Sequence, residues 1–346
     1  MRFGFFFWPY TPEYTARMAR LGEEYGFDLV GIADTPGNAM DPWVAMTLAA
    51  AATSRVTLAT CVTNLVTRHP SITASAAASV DLASGGRTIL GVGAGHSGVA
   101  NVGAAPADAE SLREGVMFLR SALASEMQRG QLASSGARGR DLESSNEPMR
   151  RSVPVFVAAS GPRALRVAGA AADGAFVNYG LGADHVRHAR DSIDEGARGA
   201  GRSSADVECW SIACLDVSER REDALDTLGN ILGFVAAYVV GPDPAGRGVP
   251  PELIPAVKEL RAAYTTRRRD MDPALTRRLG LFDYLRARLA IAGTPADCVG
   301  QVRAAEAAGV TRLMFTVSLA ADPIRTVELF GREVLPRFQS AGRGSP

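Results

Sequence analysis

Three scarcities bound this sequence before any motif is read. Positive charge has no surplus: 37 Lys and Arg stand against 37 Asp and Glu in 346 residues. Nucleic-acid binding leaves a basic footprint, so its absence argues against that partner. Metal-ligating residues are few. Cys61, Cys209, Cys214 and Cys298 make no C-x-x-C pair, which leaves neither a zinc site nor a redox dithiol in view. Cys209 and Cys214 share one strand-like run at odd spacing, which turns them to opposite faces. His185 and His188 can share a helix face, but two ligands without a third describe a solvated helix, and no metal is expected. Long apolar runs are also missing. The opening MRFGFFFWPY is too short for a signal peptide and is broken by Pro9, and no other run can span a bilayer. A cytoplasmic chain with no membrane partner is the expectation.

Core-forming material is abundant, at 47% hydrophobic against 21% charged residues, enough for one large α/β domain. Strand-like and helix-like patterns alternate throughout. Strands are expected at Phe3–Phe7, Asp28–Ala33, Val56–Thr63, Thr88–Val92, Pro154–Ala158, Gly174–Asn178, Val207–Val217 and Arg312–Val317. Helices fall between them, near Pro12–Tyr25, Pro42–Ala52, Pro70 to Gly85, Ala107–Met127, Gly161–Ala172 and Ala183–Ala200, then Pro295–Ala308 and Pro323–Phe338. Eight βα units in series predict a (β/α)8 TIM barrel.

Two segments break the rhythm. The polar tract Gln128–Ser152 leads from a helix into a strand, which places it as a mobile loop at the end opposite a barrel's active face. The stretch Ser218–Ala292 shows no strand signal and leaves from the active face after strand seven. A helical insertion lying over the mouth is expected there, within a single domain of residues 1–346.

Ligands of α/β folds sit at the carboxyl ends of parallel strands. Three strand ends carry suitable residues. GAGHSG, Gly93 to Gly98, fits G-x-G-x-x-G but follows the fourth strand, so it does not have the context of a dinucleotide fold. It reads either as backbone brought close to a planar cofactor or as a tight loop. At Ser160-Gly161-Pro162 a strand passes into a helix, where free N–H groups and the positive dipole end suit a phosphate, and where Ser160 can also serve as an N-cap. Asp34 closes strand two, as a site carboxylate or as a turn residue.

Together these stretches carry a resemblance. GFDLVGIAD (Gly26–Asp34), CVTNLVTRHP (Cys61–Pro70), SGGRTILGVGAGHS (Ser84–Ser97) and AASGPRALRVAGAAADG (Ala158–Gly174) resemble the bacterial-luciferase-like superfamily of flavin-dependent oxidoreductases. V-T-N-x-x-T-R-H-P and G-P-x-x-L-x-x-A-G are most similar to its coenzyme F420-dependent branch, typified by methylenetetrahydromethanopterin reductase. The resemblance implies a homodimer and a non-proline cis peptide at Cys61–Val62, against the cofactor ring. It implies Asp34 and Asn64 beside the deazaflavin head group, and Gly93, Ala94, Gly95 and His96 around the ring. Ser160, Gly161, Asn178 and Tyr179 would reach the ribityl phosphate region. The oligoglutamate tail of F420 would suit a lid arginine from Arg267-Arg268-Arg269 or Arg277-Arg278, runs that otherwise describe a solvated face.

The departures are specific. Phe6 stands where the reductase has an acidic residue in strand one, and Asp34-Thr35 stands where it has an Asp-His pair. Strand one, with Phe3, Phe5, Phe6, Phe7 and Trp8, would offer an apolar wall. His96, Asp34 and Tyr179 are the catalytic candidates, with His96 best matched to neutral pH unless it only contacts the cofactor. The expected activity is hydride transfer between F420 and a small organic C=N, C=C or C=O substrate. An FMN-dependent monooxygenase using O2 and a non-catalytic flavin-binding barrel are the alternatives.

Overall fold

In the computed structural model, residues 1–124, 152–267 and 270–339 are described. The tract at 128–151 and the pair 268–269 therefore lie outside the described residues. Ten strands form one parallel sheet: β1 (Arg2–Phe7), β2 (Leu29–Ile32), β3 (Thr57–Thr60), β4 (Thr63–Asn64), β5 (Thr88–Gly93), β6 (Val155–Ala159), β7 (Gly174–Val177), β8 (Glu208–Val217), β9 (Ala290–Gly293) and β10 (Arg312–Thr316). Eight of them close a barrel in the order β1-β2-β3-β5-β6-β7-β8-β10, because β10 pairs with β8 on one side and β1 on the other. The fold is the expected TIM barrel.

Most βα turns are written as a cap followed by proline. Thr11, Asp41, His69 and Asp322 each accept a backbone N–H from the next turn with Pro12, Pro42, Pro70 and Pro323 in first position. Thr294 and Asp297 form a reciprocal capping box around Pro295. His69 thus serves as an N-cap, its ring accepting from Ser71 N. Every such helix start faces the carboxyl ends of the strands, so positive dipole ends ring one mouth.

The expected strand Val56–Thr63 is two pieces. Leu58 pairs with Thr88 and Ala59 with Ile89, but Thr63 pairs with Val92 and Asn64 with Gly93. The offset drops by one, so one extra residue is accommodated between β3 and β4, a bulge. The Cys61–Val62 bond there is cis. Room comes from β5: a Cβ on Gly91 would lie 2.1 Å from the Thr60 carbonyl oxygen. The Thr60 hydroxyl donates to Gly91 O at 2.8 Å, and Gly91 N donates back to that hydroxyl at 2.9 Å.

Strand one follows period two, and that limits the apolar wall. Phe3, Phe5 and Phe7 pack outward with Phe27, Phe315 and Phe330 under the helices. Only Phe6 turns inward, onto the barrel-interior cluster of Leu29, Ala59, Ile89, Phe156, Phe176, Trp210 and Met314. Cys209 and Cys214 fall in different clusters on opposite faces of β8, and all four cysteines are unbridged.

The insertion holds a strand that its sequence does not announce. Ala290–Gly293 pairs with the last half of β8, from Cys214 with Ala290 to Val217 with Gly293. Four residues with one β-branched side chain carry too little pattern to be read, and pairing with β8 decides their state. Before it come the helices Arg221–Val239, Ile254–Ala262, Leu275–Arg278 and Phe282–Leu289. No helix among the described residues is long and apolar enough to cross a membrane.

At the opposite end, Glu23 ties the first helix to the turn before β3. Its carboxylate accepts from the backbone N–H groups of Ser54, Arg55 and Val56 and from the Ser54 hydroxyl. Burial works against the charge, but these donors prevail and hold the carboxyl at about 2, down from 4.5. Glu23→Gln should lower stability at pH 7 by about 1–2 kcal/mol, toward the low end for a hydrogen-bonded charge because the group is part exposed. The wild-type contribution is complete above pH 4.5 and is lost as pH falls toward 2. Urea unfolding across that window should show the loss in the wild type and a flatter profile in the variant. Equal stability of the two at pH 7 would rule this out.

Candidate active site

The floor of the barrel mouth is the top of the barrel interior. Phe6 of β1, Val62 at the bulge and Ala158 of β6 rest on the interior cluster and stay partly accessible. Cys61 beside Val62 is buried, and burial alone raises its thiol far above the usual range.

Asp34, at the end of β2, is buried and fully engaged. It accepts from the Thr63 hydroxyl at 2.7 Å and forms an ion pair with Arg68 at 3.0 Å, and Arg68 also reaches Asp41. So held, Asp34 is an acceptor that positions the bulge, and Arg68 of the T-R-H-P motif is a partner that sequence reasoning passed over. Asn64 uses its side-chain oxygen locally, accepting from Val66 N, Thr67 N and the Thr67 hydroxyl. Thr35 meets Ser97 through their hydroxyls at 3.4 Å.

After β5, Gly95 takes φ +90, a conformation open to glycine, and the chain turns at His96 into the short helix Ser97–Ala100. His96 is enclosed by the insertion: its ring lies 4.6 Å from that of Tyr238, 5.3 Å from Tyr264 and 6.4 Å from Phe234, centroid to centroid. Its Nδ1 is 3.3 Å from the Tyr264 hydroxyl. Burial, aided by the charge of Arg261, pushes His96 down to about 4. At neutral pH the ring is therefore uncharged, and the expected match of an imidazolium acid to pH 7 does not hold. The insertion reaches this loop a second time, through Thr266, whose hydroxyl donates to Asn101 at 2.5 Å and whose carbonyl accepts from Asn38 at 2.8 Å.

The third corner lies at the ends of β6 and β7. The helix Pro162–Ala171 starts at Gly161, with no side-chain cap, so Ser160 does not act as the expected N-cap. A guanidinium stands against that start: a Cβ on Gly161 would lie 2.7 Å from Arg247 Nη2. Arg247 is held there by donating to the carbonyls of Tyr238, at 2.8 Å, and Val239. Asn178 is buried; its amide nitrogen donates to the Tyr238 hydroxyl at 3.1 Å, while its side-chain oxygen has no donor among the described residues. Arg288 donates twice to the Tyr179 carbonyl and once to that of Arg247, and sits 5.5 Å from the Tyr179 ring. Burial raises the Tyr179 hydroxyl above its usual range, against the pull of Arg288 and Arg247.

Arg247, Arg288, Phe234, Tyr238 and Tyr264 all come from the insertion, which contacts the ends of β1, β2, β5, β6 and β7 and so lies over the mouth as expected. Sequence reading passed over all five, and their one local signal is the i, i+4 spacing of Phe234 and Tyr238. His185 departs from the solvated-face expectation: its ring is 6.2 Å from that of Tyr179, and burial lowers it to about 4. Two of the lid arginines expected at a cofactor tail are engaged within the protein. Arg277 lies 3.6 Å over the Phe282 ring and Arg278 pairs with Asp272 at 2.5 Å.

Both lowered histidines bear on stability. An unfolded chain takes up their protons near pH 6.5, whereas the folded chain refuses them down to about 4. Stability should therefore fall as pH drops through that window, by up to ~1.4 kcal/mol per pH unit for His96 and by less for the part-exposed His185. Thermal melting of wild type and His96→Asn between pH 4 and 7 should show a shallower slope in the variant. Parallel slopes would contradict a neutral, buried His96.

Known proteins align with this geometry. The family model described as luciferase-like monooxygenase matches residues 2–312. The 5,10-methylenetetrahydromethanopterin reductase of Methanopyrus kandleri is 28% identical over 95% of each chain. An F420-dependent glucose-6-phosphate dehydrogenase of Beutenbergia cavernae is also 28% identical, over 93% of this chain and 92% of its own. The solved structure of the coenzyme F420-dependent tetrahydromethanopterin reductase from Methanopyrus kandleri superposes with a TM-score of 0.75 at 25% identity, covering 98% of this chain and 99% of that one. The chain belongs to the luciferase-like monooxygenase family and is an oxidoreductase of its flavin- and F420-dependent kind.

Proposed function

We propose that the chain, as a cytoplasmic homodimer, is an F420-dependent oxidoreductase acting on a small organic substrate. The observation that carries this reading is the corner where Arg247 meets the start of the helix Pro162–Ala171, joined to a flat apolar floor. An anion with an attached planar ring fits that pairing, and the relatives above are named for F420. The residues present suit the group. Gly161, Ser160 and Arg247 hold its phosphate at unpaired N–H groups and a guanidinium. The unpaired side-chain oxygen of Asn178 would accept from a hydroxyl of the ribityl chain, with Tyr179 beside it. Cys61, Val62, Phe6 and Ala158 support the ring from below, and Gly93, Ala94, Gly95 and His96 pass along it. Asn64 and Asp34 stand at the head-group end. Bound there, F420 supplies hydride chemistry; the protein supplies placement and a proton.

The proton is held by the His96–Tyr264 pair. His96 is neutral at pH 7, so it acts through its N–H rather than as an imidazolium, in contact with the Tyr264 hydroxyl. Asp34 is occupied by Arg68 and accepts, and Tyr179 stands at the β6–β7 corner beside Arg288. Neither replaces that pair.

Fluorescence titration with F420, and in parallel with FMN, tests the cofactor. F420 should bind, and Gly161→Asp should weaken it more than tenfold, because the new carboxylate would occupy Arg247 and repel the phosphate. Tight binding of FMN alone would move the chain to the oxygen-using branch. Stopped-flow oxidation of the reduced cofactor tests the pair. His96→Asn should slow turnover by ~10²–10⁴-fold with F420 affinity unchanged. A normal single-turnover rate with weakened F420 binding would make His96 a cofactor contact only.

A further inference from the structure

Deepening the F420 reading, on which it rests, we propose that the cleft under the insertion takes a neutral ring compound bearing one polar atom, such as an aromatic or alicyclic ketone. The site selects against sugar phosphates, and Phe234 is its specificity-determining residue. Phe234 is the hub of a continuous aromatic wall. Its ring lies 5.6 Å from Trp8, 6.0 Å from Tyr238, 5.7 Å from Tyr264 and 6.4 Å from His96. Trp8 follows β1, His96 follows β5, and the other three come from the insertion, so the wall crosses the mouth from one side of the barrel to the other.

These rings line a cleft rather than fill a core. Phe6, Phe234, Tyr238, Tyr264 and His96 are each only partly buried, unlike the wholly enclosed Phe3, Phe5 and Phe176. Yet the Tyr238 and Tyr264 hydroxyls are strongly desolvated, and both are raised well above the usual phenol range. Accessible ring edges beside desolvated polar tips offer a ring compound both apolar contact and a hydrogen-bonding partner.

Charge in this part of the mouth is sparse among the described residues. His96 is uncharged at neutral pH. Asp34 is paired with Arg68. Arg261 acts on His96 only from the exposed side of its helix. Arg247 and Arg288 stand at the β6–β7 corner, against Gly161 and Tyr179. A dianionic substrate would have to leave water for a wall of aromatic rings, with Arg261 standing on an exposed helix face, which is costly. A neutral ring loses little water and gains aromatic contact. Its single polar atom finds the Tyr264 hydroxyl and His96, the two polar groups of the wall not bound to Asn178.

Isothermal titration calorimetry of the full chain, with and without saturating F420, tests this with acetophenone and glucose 6-phosphate as probes. Acetophenone should bind at least tenfold more tightly than glucose 6-phosphate. Phe234→Ala should weaken acetophenone at least tenfold, and Phe234→Leu, which keeps most of the volume, should weaken it less. The Leu variant keeps the test valid where the Ala variant fails to fold. F420 affinity, read by its own fluorescence, should be unchanged in Phe234→Leu. Tighter binding of glucose 6-phosphate overturns the proposal, and so does acetophenone affinity that is indifferent to both substitutions. Loss of F420 binding with ketone binding retained would sink the cofactor reading and leave the substrate class standing.

Discussion

The mouth of this barrel depends on one inserted residue. A parallel ladder advances residue for residue, and an extra one between Thr60 and Thr63 must go somewhere. It is accommodated because Gly91 on the facing strand has no side chain to collide with the Thr60 carbonyl, and because the Thr60 hydroxyl takes over both hydrogen bonds of Gly91. The bulge leaves Val62 accessible on the barrel floor and brings the Thr63 hydroxyl to Asp34. Asp34 in turn fixes Arg68, and Arg68 fixes Asp41, the cap of the helix Pro42–Ala52. A flat floor and a braced rim therefore follow from a single change of register.

The second determinant is the insertion after β8. It contributes side chains of two kinds to two places. Arginines, Arg247 and Arg288, go to the corner where the helix Pro162–Ala171 begins, adding cationic charge to a positive dipole end. Aromatics, Phe234, Tyr238 and Tyr264, go to His96 and exclude water from it. The same segment makes one side of the mouth anion-seeking and the other side largely aromatic. His96 shows the consequence for chemistry. Its residue type suggested an acid poised near neutrality, but enclosure by three aromatic rings disfavours the cation and leaves a hydrogen-bonding imidazole.

The sequence determined the barrel. Period-two apolar runs, most of them followed by a cap residue and a proline, specify βα units one after another, and local chemistry is enough because a cap satisfies its own helix. It also determined three of the corners, since glycine and short polar residues at strand ends serve no strand or helix. What only tertiary structure decided was pairing across long separations. Ala290–Gly293 is a strand because β8 offers it an edge, not because of its own pattern. Phe3, Phe5 and Phe7 leave the site because the pleat turns them outward, while Phe6 and Trp8 face the mouth. Arg247 reaches Gly161 across 86 positions of chain (247 minus 161), and Tyr264 reaches His96 across 168. Such contacts leave no periodicity or spacing in the sequence, because they are set by where the insertion comes to rest over the mouth.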